Sequence, residues 1–296
     1  MAAEEALPRT LAAVLRRLVT RQTERIRSEE ERVRWGEDPE GVHRMRVATR
    51  RLRALLGAFR PVLRFREETR LGAALRRLAD ALGPVRDLDV LLGELPVALA
   101  GAGLTEPSFV ASALEVERAR ARDRLLTYLD GRAWPRLLGG LDEWSAAPPL
   151  LRRRRTNESV ASSTPVPEAA RLLVLERLGR VRRQGRRCRK RPGERRLHRL
   201  RVALKRLRYL VEFFRPVLPE NMGVLHERAV ALQDLLGAAN DAAVAARRLS
   251  EAPEQLVAWY EARAGELRGK FPAAWAEFRQ LARESSRSLA APKATA

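Results

Sequence analysis

Two ladders of cationic side chains carry the chemistry this sequence offers: His43, Arg46, Arg50 and Arg53, then His198, Arg201, Lys205 and Arg208. On a helix at 100° per residue, each set falls on a single stripe. Neighbouring like charges on such a stripe repel by roughly a few tenths of a kcal/mol per pair. Both ladders accept that cost at matching positions, which implies an anion that offsets it. Arginine suits the task, because a planar guanidinium donates two hydrogen bonds to phosphate-type oxygens. Rungs one helical turn apart match a linear, repeating anion.

The other reactive side chains lead elsewhere. There is no His-x-x-x-His, no acid three or four residues after a histidine, and no Cys-x-x-Cys, so no metal site is expected. Beside arginines, His43 and His198 should resist protonation. They read as ligand contacts, the alternative being helix-start histidines that satisfy backbone. His226 has no counterpart in the first half and reads as ordinary surface. Asp80 and Asp87 correspond to Asp234 and Asp241, and each pair is placed to hold arginines of a neighbouring helix. Cys188 stands among arginines, which would lower its pKa, yet a lone cysteine is more often incidental than a nucleophile. No nucleophile–base pair, phosphate loop or dinucleotide fingerprint stands out, so neither catalysis nor a cofactor is expected.

The ladders sit in a repeat. Val42 to Leu63 returns as Leu197 to Leu218, offset by 155, with 14 of 22 positions identical. In the first copy Met45, Ala48, Leu52, Leu55, Phe59 and Leu63 form an apolar stripe opposite the cations, and in the second Leu200, Ala203, Leu207, Leu210 and Phe214 do so. Pro61 and Pro216 end both helices at the same place. Each copy is therefore an amphipathic helix with one apolar and one cationic side.

Composition agrees with an anionic partner. The 296 residues carry a net charge of +21, with 58 basic residues against 37 acidic. Such an excess fits nucleic acid, an acidic membrane or a phosphate polymer. Aromatics are only 5% of residues and none interleaves with the ladders, whereas single-strand nucleic-acid binders offer stacking platforms. The single cysteine fits a reducing compartment. The N-terminus lacks the charge pattern of a signal peptide, and no segment approaches the ~20 apolar residues of a spanning helix. A soluble cytoplasmic protein is the expectation.

Around the ladders the spacing predicts helices almost throughout. A first helix opens at Pro8 and carries Arg17, Arg21 and Arg25 along one edge; Glu29 to Glu31 then read as a solvated face. After Pro61 a helix over about 67–82 is interrupted at Gly83-Pro84 by a kink, and 96–107 is a small-residue loop. A helix from Ser108 to about Leu129 spreads Arg118, Arg120, Arg122 and Arg124 around itself as solubilising surface. Trp134-Pro135 opens a short helix. Residues 147–167, with Arg152 to Arg155, read as a flexible linker. A helix over about 168–187 then carries Arg180, Arg183 and Arg187 on one side, and the order of elements repeats. The halves are 1–146 and 168–286, with a frayed tail over 287–296. Nearly absent strand signals make this an all-α chain of two four-helix bundles.

The stretches His43–Leu63 followed by RDLDVL, and His198–Leu218 followed by LLGAANDAAV, resemble the CHAD family, a histidine-containing α-helical domain. The resemblance covers about residues 7 to 285. It implies two four-helix bundles around a pseudo-twofold axis, and binding of long-chain inorganic polyphosphate by basic residues lining a groove between the bundles. The matching positions are the eight ladder residues, with Arg17, Arg21, Arg25, Arg180, Arg183 and Arg187 in support. Members are often fused to a triphosphate tunnel domain; this chain has no room for one and reads as a stand-alone member, some of which gather on polyphosphate granules. Thr49-Arg50 stands where the second copy has Leu204-Lys205, so the two faces are not equivalent. The rival readings are a non-specific nucleic-acid binder, weak and favoured by low salt, and a granule scaffold.

Overall fold

A computed structural model of the chain describes residues 8–36, 38–105, 108–148, 160, 161, 163–190 and 193–290. The Arg152–Arg155 run, most of the expected linker and residues 291–296 lie outside these. The fold is all-α, with no strand among the described residues. The chain divides into two compact units, one of residues 12–151 and 249–259, the other of residues 1–11, 152–248 and 260–296.

The N-terminal unit contains α1 (Leu11–Ser28), α2 (Glu30–Trp35), α3 (Pro39–Phe59), α4 (Phe65–Gly101), α5 (Ser108–Asp130) and α6 (Ala133–Ala146). α1 starts at Leu11, three residues beyond Pro8. α3 starts on Asp38, whose carboxylate accepts the Glu40 N–H at 2.8 Å, with Pro39 next. It ends where Arg60–Val62 tightens into a 3-10 turn. α4 packs against α3, α5 and α6. It runs unbroken through Pro84 and Pro96, so the expected loop over 96–107 begins only after Gly101. Leu95, Ala98 and Leu99 are buried, and that packing holds the last turns helical despite Pro96.

Four charged residues read as surface, Glu29, Glu30, Arg118 and Arg122, are structural instead. The helix breaks at Glu29, between α1 and α2, and this turns the Glu29 carboxylate inward, where it pairs with Arg44 of α3 at 2.9 Å and Arg32 at 3.5 Å. Glu30 accepts from the Trp134 indole and from Arg34, both at 2.9 Å. Arg118 pairs at 2.6 Å with Asp89, whose side chain is 3% exposed. Arg122 donates to the carbonyls of Val33 and Arg34, covering the end of α2. α2 closes on Gly36 in the left-handed region (φ 77°), and a Cβ there would collide with the Arg122 guanidinium. Apart from the Glu30–Arg34 and Glu29–Arg32 pairs, at i,i+4 and i,i+3, a helical wheel shows none of these partners, because they lie on other elements. Beside this corner Trp35 stands 75% exposed.

The C-terminal unit is a four-helix bundle. α7 (Val166–Lys190) packs on α8 (Glu194–Phe214), α8 on α9 (Met222–Arg248), α9 on α11 (Phe271–Ala290), and α11 back on α7. Leu178, Leu200, Leu204, Leu207, Leu225, Leu232 and Phe278 fill its middle. Gly185 of α7 leaves room for the Trp275 ring, which would meet any Cβ placed there. α7 overruns the expected 168–187 at both ends. α11 likewise continues past Ser285, where fraying was expected, because Ser285 and Leu289 are buried and Arg171 donates to the Leu289 carbonyl at 3.1 Å. α10 (Glu254–Gly269) bridges the division: its first turns belong with the N-terminal unit, where Trp259 lies against Gly101.

Burial follows the 155-residue offset well beyond the identical stretch. Leu11 and Val166, Val14 and Ala169, Leu15 and Ala170, Val19 and Val174, Ile26 and Val181, and Val33 and Cys188 are all buried. The single helix α7 thus matches α1 and α2 together.

Candidate functional site

In the N-terminal unit the ladder lies on α3. His43, Arg46 and Arg50 are half-buried and Arg53 is exposed. Arg86, from the turn of α4 after Pro84, joins them. Burial first, then the charges of Arg86, Arg50 and Arg46, hold the His43 imidazole below its ordinary value. Arg46 lies against Gly83 and reaches Asp87 at 3.6 Å. Asp87 therefore does steady an arginine, as its spacing predicts. The corresponding Asp241 has its own neighbour Asn240 as a hydrogen-bond donor at 3.2 Å. Arg17, Arg21 and Arg25 follow α1, with Arg21 exposed and the other two half-buried.

In the C-terminal unit the ladder lies on α8, and its members part company. His198, with Arg180 and Arg183 of α7, lines a cleft of about 420 Å³ between α7 and α8. Arg177, Gln184, Arg199, Val202, Ala203 and Arg206 complete its wall, which holds no carboxylate and no Phe, Tyr or Trp. Arg177 is only 7% exposed. Burial, with Arg180 and Arg206 close by, lowers its pKa against the pull of Glu176. Arg201 instead faces α9, in a small crevice with His198, Glu194, Asn240 and Arg268. Burial, then Arg201 and Lys205, hold His198 below the ordinary imidazole value. Arg208 lies over the Tyr209 ring, 4.8 Å from its centroid, and donates to the Tyr209 hydroxyl at 3.1 Å. Arg187 is exposed and outside the cleft wall.

Sequence reasoning missed Arg86, Arg177, Arg199 and Arg206. Arg199 and Arg206 lie about 100° round α8 from the ladder, on the side that only the α7 crossing makes into a cleft. Two further expectations are corrected. His226 is not ordinary surface: its Nε2 is buried and has no hydrogen-bond partner, and burial lowers its pKa. Cys188 is fully buried, and burial pushes its thiol up to about 11, outweighing the nearby Arg196.

Among the described residues no group of three or more His, Cys, Asp or Glu is placed to hold a metal ion, and no helix is long and apolar enough to cross a membrane. What the arrangement can do is bind anions. It presents guanidinium donors at close spacing, on helices, in a wall lined by no carboxylate, although Arg180 pairs with Glu176, outside the wall, at 2.7 Å.

Known structures share the fold. The crystal structure of the CHAD domain from the plant Ricinus communis is 24% identical, covers 99% of this chain and 97% of its own, and superposes with a TM-score of 0.69. PptA from Streptomyces chartreusis is 16% identical, with 93% and 100% coverage and a TM-score of 0.68. No curated protein sequence matches significantly. The CHAD domain family model matches residues 17–250, most of the chain and both ladders. The chain belongs to the CHAD domain family, a family associated with polyphosphate binding.

Proposed function

We propose that this protein is a non-enzymatic module that binds long-chain inorganic polyphosphate through the cationic faces of α3 and α8. It works in the cytoplasm, where it gathers on polyphosphate granules. The observation that carries this reading is the α7–α8 cleft wall, with five arginines, one histidine and no acid. A protein needing charge only for solubility would mix the signs. The absence of Phe, Tyr and Trp from that wall favours a phosphate polymer over single-stranded nucleic acid, whose binders stack bases chiefly on such rings. Family membership supplies the phosphate chemistry.

The test is a calorimetric titration of long polyphosphate against single-stranded DNA of equal charge, at ~150 mM salt. Polyphosphate is expected to bind more tightly; equal affinities would favour a general polyanion binder. Replacing Arg46, Arg50, Arg201 and Lys205 together by alanine should weaken polyphosphate binding by about a hundredfold or more, since charge-assisted hydrogen bonds contribute roughly 1.5–3 kcal/mol each. Unchanged binding with helicity intact would remove the ladders from the site.

A further inference from the structure

The two units treat the same positions differently. At the 155-residue offset, Arg25, Arg44 and Arg51 match Arg180, Arg199 and Arg206 of the α7–α8 cleft. The acids around them do not match. Glu29 corresponds to Gln184, and Asp38 to Gly193. In the N-terminal unit those two carboxylates hold Arg44 at 2.9 and 3.2 Å. In the C-terminal unit Gln184 is neutral and Gly193 has no side chain, so Arg199 keeps its charge without an acid partner. The contrast extends to Gln22 and Ser28, where the cleft has Arg177 and Arg183. Among the described residues Arg183, like Arg199, has no carboxylate within ion-pair distance, whereas Arg180 pairs with Glu176 at 2.7 Å; the buried Arg177 forms part of the wall.

We infer that the α7–α8 cleft is the principal anchor for a run of condensed phosphates, and that its copy around Arg44 is switched off by its own carboxylates. This rests on the polyphosphate reading and goes beyond it, since the reading alone leaves the two units equal. The cleft supplies what a tightly held phosphate needs. It offers several guanidiniums converging from two helices, one of them sunk in the wall, and the carboxylate that holds Arg180, Glu176 one turn back at 2.7 Å, lies outside the wall.

The carboxylates can be exchanged between the units. Gln184→Glu with Gly193→Asp places the two acids around Arg199. Gly193 precedes α8 with φ 177°, extended backbone that aspartate adopts freely, and there aspartate also caps the helix as Asp38 does. The double variant should keep or raise its melting temperature, yet bind polyphosphate at least about tenfold more weakly, a difference of about 1.4 kcal/mol. The reciprocal Glu29→Gln with Asp38→Gly variant should bind at least as tightly as the parent. Titrations with orthophosphate and with single-stranded DNA run alongside, and a parallel loss for polyphosphate and DNA would make the cleft a general polyanion anchor, overturning the choice of ligand. If the parent binds polyphosphate and Gln184→Glu with Gly193→Asp leaves that affinity unchanged, the anchor lies elsewhere and the inference falls. If the parent does not bind polyphosphate at all, the functional reading itself falls, and the two failures stay distinct.

Discussion

At the scale of single residues, the histidines couple this site to pH. His43 and His198 are held below the ordinary imidazole value of 6.5, first by burial and then by neighbouring cations. The folded protein therefore takes up protons less readily than the unfolded chain. Stability is full above pH 6.5 and declines as pH falls through that value toward the depressed folded ones. An anion beside the histidines raises their pKa again, so binding takes up protons and affinity grows across the same window. Imidazole NMR titrations should place both histidines below 6.5 in the free protein and move them upward with polyphosphate. His226 of α9, depressed first by burial, should share in the stability loss. If the ligand leaves His43 and His198 unmoved, they are not contacts.

The residue types were legible in the sequence, because a ladder with period 3.6 is visible without coordinates. Their partners were not. Arg118 and Arg122 look like the other arginines of α5, and only the approach of Asp89 and of the end of α2 makes them structural. The exchange of Glu29 for Gln184 and Asp38 for Gly193 was present in the aligned repeats. It gains meaning once Arg44 is seen to lie between both acids.

At the scale of elements, periodicity gave the cores of the helices correctly and misplaced several ends. Pro96 commonly interrupts a helix, and the polar residues from Ser285 carry little helical signal. Both sit inside helices here because buried leucines beyond them gain more from packing than the local sequence loses. One close approach lies where α7 meets α11. Gly185→Ala would drive a methyl group into the Trp275 ring, and overpacking of this kind costs about 1–3 kcal/mol. Gly237, within α9, has open space around it, so Gly237→Ala should instead stabilise by up to about 1 kcal/mol through helix propensity. Urea unfolding of the two variants should move the midpoint in opposite directions. A neutral Gly185→Ala would mean that α7 and α11 are less tightly apposed than their geometry states.

At the scale of the whole molecule, a net charge of +21 makes salt a variable of the first rank. Self-repulsion of so many cations opposes compactness, and salt screens it. The free protein should therefore melt at a higher temperature in ~150 mM salt than in ~10 mM. Polyphosphate affinity should move the other way, with a log–log slope of roughly −0.7 for each phosphate neutralised, by analogy with single strands. Scanning calorimetry with and without polyphosphate over this range checks both signs together. At a hundred times its Kd the polymer should stabilise the fold by about 2.7 kcal/mol. A melting temperature indifferent to salt would mean that the acids already neutralise the cations locally, as Glu29 and Asp38 do for Arg44.

Trp35 has a practical consequence. Trp134, Trp144 and Trp275 are 4%, 5% and 1% exposed, whereas Trp35 is 75% exposed at the end of α2. Its indole emits from water while those three emit from a dry interior. An aqueous quencher such as iodide selects it over them, and iodide is drawn to so cationic a surface. Trp259 of α10 is half-buried, between these extremes. Trp35 is thus the most open of the five and serves as an optical beacon at the corner where Arg122 ties α5 to α2.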